Sequence, residues 1–243
     1  MQNSVKTMLL LSAVVLAACD NDSLAPPPVE PEPAPDPVTI TFNVTVSNLT
    51  NAQPLSPVAV IAHFDGYEVF SVGTPATLGL EVLAEGGDNS DLIAEADGDD
   101  NVVTTASGAA PIGPAGSETI SVEILERNLD GLRISTSTML VNTNDAITMA
   151  NAVDVSGLAA GESISFRTIA YDAGTEANSE EAIHIPGPAG GGEGFNAARD
   201  DIADQVAMHV GVVSQDDGFA TSDLTGQHRF DNAVAAVRIE RVN

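Results

Sequence analysis

Val38-Thr39-Ile40-Thr41-Phe42-Asn43-Val44-Thr45-Val46-Ser47-Asn48-Leu49-Thr50 sets Ile40, Phe42, Val44 and Val46 against Thr39, Thr41, Asn43 and Thr45. A period of two is the pattern of a strand with one face buried and one wet. Beyond this stretch, the apolar run over residues 58–64 suits a strand buried on both faces. Further strands are expected over 120–124, 132–141, 163–171, 205–213 and 233–242. In the last of these Val234, Val237, Ile239 and Val242 break the alternation, which predicts a bulge or an edge position. Short helices are expected between 75 and 86, stopped by Gly86-Gly87, and over 90–96. Seven or eight strands with so little helix predict an all-β protein, an antiparallel β-sandwich with one or two short helices in its connections.

The chain has 243 residues, 43% of them apolar, enough for one globular domain with a proper core or two small ones. Aromatics make up 4% and tryptophan is absent, so the core must be built from Val, Ile, Leu and Ala. Eight Lys and Arg stand against 35 Asp and Glu, a formal net charge of −27. That is several times the magnitude of about 2–8 common for small domains. Such a chain repels phosphate backbones and anionic headgroups, which excludes nucleic acid as a partner.

The first 19 residues read as a signal peptide: a basic start at Lys6, an apolar run of about 11 residues from Met8 to Ala18, then Cys19. The run is well short of the roughly 20 residues a membrane-spanning helix needs. Leu16-Ala17-Ala18-Cys19 resembles a bacterial lipobox, so Cys19 is expected to carry the acyl chains that tether the protein to a membrane. It is the chain's single cysteine, so no disulfide can form within the chain. Lys6, the single lysine, lies in the segment expected to be removed, which leaves no lysine for Schiff-base chemistry. Residues 20–38 carry seven prolines among acidic neighbours and read as an extended spacer reaching roughly 50 Å. The folded domain is expected over 39–243, in a bacterial cell envelope, periplasmic or surface-exposed.

Chemical motifs are sparse. There is no His-Glu-x-x-His, no Gly-x-Ser-x-Gly and no phosphate-binding loop. Gly190-Gly191-Gly192-Glu193-Gly194 lacks a lysine and reads as a flexible loop. His63, His184, His209 and His228 lie too far apart in sequence for the usual zinc spacings, and His63 reads as a structural histidine. Asp97-Gly98-Asp99-Asp100-Asn101 opens like an EF-hand loop but has Val102 and Gly108 where glycine and glutamate are needed, so it reads as an acidic turn. Asn144-Asp145 and Asp172-Ala173-Gly174-Thr175-Glu176 each follow an expected strand. On composition alone solvated turns are the plainer reading, and ligands of a hard cation the alternative. Asp145 and Asp172 can meet only if residues 142–162 cross over and the two preceding strands point the same way.

Several stretches resemble the spondin N-terminal domain family. Ser56-Pro57, Ala62-His63, Tyr67, Phe70, Gly73, Ala76, Gly79 and Ala84-Glu85-Gly86 are similar to its first signature. Thr138-Met139-Leu140-Val141-Asn142-Thr143-Asn144-Asp145 looks like its Ser-Met-Ile-x-Pro-Ser-Pro-Asp-Trp segment, and 171–176 like its Trp/Tyr-Asp-Ala-Gly-Thr-Asp. Residues 233–242 are similar to its terminal strand. The matches run in order over roughly 39–243. Asn142 and Asn144 replace prolines, Ala146 replaces the tryptophan, and residues 187–201 have no counterpart.

The resemblance implies a C2-like sandwich with a Ca2+ site at one end. Asp145 and Asp172 would be among the ligands, with Glu176 at the second acidic position. It also implies a non-catalytic adhesion module whose partner is an extracellular or periplasmic glycan or protein. An envelope glycan hydrolase using the two aspartates as acid and base, and a purely structural envelope protein, are the alternatives.

Overall fold

The computed structural model describes residues 35–201 and 203–243. The signal segment, Cys19 and the spacer up to residue 34 lie outside the described residues. The strands are β1 (Thr39–Asn48), β2 (Ala59–His63), β3 (Val102–Ser107), β4 (Ser117–Leu125), β5 (Arg133–Met139), β6 (Ala146–Asp154), β7 (Ser163–Thr168), β8 (Ala170–Asp172), β9 (Ala207–Met208) and β10 (Ala235–Arg241). Two helices, α1 (Leu78–Gly86) and α2 (Ser90–Asp97), lie between β2 and β3. The strands form two antiparallel sheets, ordered β4-β1-β10-β7 and β3-β2-β5-β6-β8-β9. The protein is an all-β sandwich.

Alternation in β1 is what the sandwich is built on. Ile40, Phe42, Val44 and Val46 are buried against Val60, Val122, Ile134 and Ile239, and their threonine and asparagine neighbours face outward. The six-stranded sheet is covered on both faces, so β2 is buried at every residue. Val60 and Ala62 enter the core between the sheets, while Ala59 and Ile61 pack with Leu80, Leu83 and Leu92 of the helices. The Thr77 hydroxyl accepts the Leu80 N–H and caps α1. His63 is a satisfied core histidine, with Nδ1 2.8 Å from the Phe64 carbonyl and Nε2 2.9 Å from the Ser135 hydroxyl.

The structure departs from the sequence reading in four places. β3 and β6 are additional strands. The expected strand over 163–171 is two strands in different sheets, since β7 pairs with β10 and β8 with β6, the chain changing sheets at Ile169. Of 205–213 only Ala207–Met208 pairs. β10 is neither bulged nor at an edge: it lies between β1 and β7 in unbroken register, burying Ala235, Val237 and Ile239. The inward alternation starts at Ala235, whose small side chain hides the pattern.

Phe42 is the bulkiest side chain buried without exposure between the sheets. Phe42→Ala is expected to cost about 3–5 kcal/mol. Urea unfolding followed by circular dichroism checks this as a lower midpoint at unchanged slope.

Candidate metal centre

The centre begins at a turn. After β5, the Thr143 hydroxyl donates to the Leu140 carbonyl at 2.6 Å and accepts the Ala146 N–H at 3.0 Å. Leu140 N–H donates to the Ala146 carbonyl, so the chain reverses within a few residues and delivers Asp145 at the start of β6. β8 runs antiparallel to β6 and sets Asp172 opposite Ala146. β5 is also antiparallel to β6, so β5 and β8 point the same way and their two trailing loops meet.

The loop after β8 then closes over Asp145. Ala173 N–H donates to the Asp145 backbone carbonyl at 3.2 Å. The Thr175 and Glu176 N–H groups donate to Asp145 Oδ2 at 2.8 and 3.1 Å. Asp172 Oδ1 accepts the Gly174 N–H at 2.9 Å, and its Oδ2 accepts the Asn178 amide at 2.6 Å. Gly174 has φ +72°, and a Cβ there would lie 2.3 Å from the Gln205 carbonyl oxygen, so the turn tolerates only glycine. Asp145, Asp172 and Glu176, the three acidic positions singled out from sequence, thus lie in adjoining segments, but their carboxylate oxygens do not all come within 4.8 Å of one another. Cys19 lies outside the described residues.

Asp145 is 0% exposed, and its Oδ1 has no hydrogen-bond partner. Asn144 beside it is equally buried, with both amide atoms unpaired. A fourth carboxylate joins them from α1. Glu85 is buried, its Oε2 accepts the Asn196 N–H at 2.8 Å, and its Oε1 is unpaired. It sits in the last turn of a helix that has no basic residue there, where the helix dipole disfavours an anion. Neither burial nor the dipole explains a glutamate at that place. Arg199, which acts on it electrostatically, is engaged by Glu81 and Asp204.

Burial, helped by neighbouring charge, lifts the pKa of Asp145, Glu176 and Glu85. Burial, then the neighbouring Asp172, pushes Asp145 from 3.8 to about 7. Burial, followed by Glu85 and Asp145, pushes Glu176 from 4.5 to about 8. Glu85 is raised as well, chiefly by burial. Two oxygens of this acidic region, Asp145 Oδ1 and Glu85 Oε1, are buried without partners, and a hard divalent cation there would keep the carboxylates ionised. Among the described residues the group whose ligand atoms already lie within 4.8 Å of one another is Glu176, His184 and Glu193. His209, also buried, lies within electrostatic reach of Asp172 but does not join the carboxylates. Its Nδ1 accepts the Gly211 N–H at 2.9 Å, so in the neutral ring the proton lies on Nε2, which then has no lone pair to offer a metal. No family model and no curated protein matches the chain.

Three residues of this region escaped the sequence reading as site residues: Glu85, His184 and Glu193. Glu85 stood in the Ala84-Glu85-Gly86 stretch quoted for its family resemblance, the one signal that could have marked it. His184 and Glu193 come together with Glu176 through backbone pairing that no spacing announces. The glycine-rich run is not a loose loop. Gly192 N–H donates to the Ile185 carbonyl and Glu193 N–H to the Ile183 carbonyl, both at 2.9 Å. A Cβ on Gly192 would lie 2.2 Å from the Ile183 oxygen, so the run is glycine for close approach.

The raised pKa values set the pH response of the metal-free protein. Between the unfolded values near 4 and the folded values of about 7 and 8, the native state binds more protons than the unfolded one. Stability therefore falls as pH rises through that window and levels off above it. Melting in excess chelator from pH 4.5 to 8.5 is expected to show this decline, with a shallower slope for Asp145→Asn.

Proposed function

We propose that this chain is a lipid-anchored binding module of a bacterial cell envelope, clamped by one Ca2+ ion and without catalysis. The observation that carries the reading is Asp145 Oδ1, fully buried and unpaired beside Asp172 and Glu176 with Glu85 near. Ca2+ takes six to eight oxygens, and carboxylates of Glu85, Asp145, Asp172 and Glu176 supply the charged ones, with carbonyls and water for the rest. The ion supplies positive charge. The residues hold the loop after β8 against the turn before β6.

Nearness of the acidic positions named by the spondin resemblance supports membership of that family, and with it an adhesive role toward an envelope glycan or protein. Enclosure of Asp145 favours a cation over glycan hydrolysis, in which both carboxyl groups must reach the sugar. The lipobox-like segment ending at Cys19 and the proline spacer suit a module held at, and away from, a membrane. Among the described residues no helix is long and apolar enough to cross one.

Calcium is expected to raise the melting temperature over chelator. A hundredfold excess over Kd contributes about 2.7 kcal/mol, or roughly 5–10 °C for a domain of this size. Equal melting in both conditions removes the ion from the proposal, as does an Asp172→Ala variant that binds calcium like the parent in calorimetry. Cys19→Ser is expected to move the protein from the membrane fraction to the soluble fraction of cells.

A further inference from the structure

We propose that Glu176, His184 and Glu193 form a second divalent-cation site, one that takes a transition ion such as Zn2+ at the solvent-facing side of the buried carboxylates. One ligand atom from each lies within 4.8 Å of the others. His184 Nδ1 is 3.8 Å from Glu176 Oε1 and 3.7 Å from Glu193 Oε1, too far for hydrogen bonds. Ligands about 2.1 Å from a tetrahedral ion sit roughly 3.4 Å apart, so a small rotamer adjustment closes the triangle on a metal.

Burial supplies the second reason. The Glu176 side chain is only 7% exposed, and among the described residues its carboxylate accepts no hydrogen bond. It is directed at the imidazole without touching it. His184 and Glu193 are 30% and 46% exposed, which gives an ion a path from solvent and leaves one coordination position for water. An imidazole nitrogen in the set selects against Ca2+, which prefers oxygen alone, and toward zinc and its neighbours. Two carboxylates also balance the charge of a divalent ion.

The backbone is shaped for this. His184 lies in a 3-10 turn between Ile183 and Ile185, whose carbonyls accept the Glu193 and Gly192 N–H groups. That ladder brings residue 193 back beside residue 184. The glycine at 192 is what allows the two backbones so close.

The test is a calorimetric titration of the full chain, first saturated with Ca2+, with Zn2+, and with Co2+ read by its visible spectrum. The expected result is one Zn2+ per chain bound with Ca2+ retained, and a Co2+ band that needs the imidazole. His184→Ala should weaken Zn2+ by more than about 100-fold, beyond the 10–100-fold that loss of a merely supporting residue costs. Glu193→Gln, at an exposed position, should weaken it with the melting temperature in calcium unchanged. Zn2+ bound equally by parent and His184→Ala overturns the proposal. So does displacement of Ca2+ ion for ion, which would make the three residues part of the calcium centre. Zinc binding that needs His184 in a protein that binds no calcium upholds this site and sinks only the calcium reading.

Discussion

Everything at the centre depends on one register: β8 pairs with β6 so that Asp172 stands opposite Ala146, next to Asp145. A slip of one residue would turn Asp172 to the other face of the sheet. In this register several carboxylates are withdrawn from water together. Two carboxylates about 5 Å apart repel by roughly 3 kcal/mol at an effective dielectric of 20, and desolvation adds to that. A fold can answer in two ways, by taking up protons or by taking up a cation. Values of about 7 for Asp145 and about 8 for Glu176 mean that the metal-free chain answers with protons near neutrality. A cation arriving there must release them, so affinity and pH are tied together.

The sandwich delivers that register by letting one stretch of chain serve both sheets. β7 continues the four-stranded sheet beside β10, and two residues later β8 continues the six-stranded sheet beside β6. The Thr148 hydroxyl donates to the Ile169 carbonyl at 2.9 Å and pairs with the Thr168 hydroxyl at 2.7 Å, fixing the crossing point. A second polar strap holds the turn before β6. Gln53 donates from Nε2 to the Asn142 carbonyl at 3.2 Å and accepts the Asn142 N–H on Oε1 at 3.1 Å. Gln53 is itself held by Thr50 and Asn48 at the end of β1. The turn is thereby bound to the longest strand of the opposite sheet.

How much of this was legible follows from what each signal measures. Alternation in β1 and the solid apolar run of β2 report burial directly, and the class of fold followed from them. β6 escaped because Ala146, Ala150 and Ala152 carry little hydrophobic weight, although the strand is buried through its first five residues. The change of sheet at Ile169 has no mark in the sequence, since no glycine, proline or turn residue separates the two halves of Ser163–Tyr171. The nearness of Asp145, Asp172 and Glu176 was readable from motif order. Glu85 was not, because a glutamate at a helix end is ordinary until its burial is seen. His184 and Glu193 were hidden by the same habit of looking for ligands at fixed spacings. Their partner lies across a hairpin rather than one helical turn away.

The placement of the centre within the domain carries the last step. The chain enters the sandwich at Thr39, and its other end returns there, the Asn243 side chain bonding to the Thr39 carbonyl and the Thr41 N–H. The ten-residue β1 ends at Asn48, which binds the Gln53 carbonyl. Gln53 in turn holds the turn that carries Asp145. A ten-residue strand spans about 33 Å, so the carboxylates occupy the pole opposite Thr39 and Asn243. The loops at that pole run from Asp172 through Glu193, far from Thr39. They carry a small apolar cluster of their own, Ile185 with Val212 and Leu224, which orders them alongside the backbone hydrogen bonds.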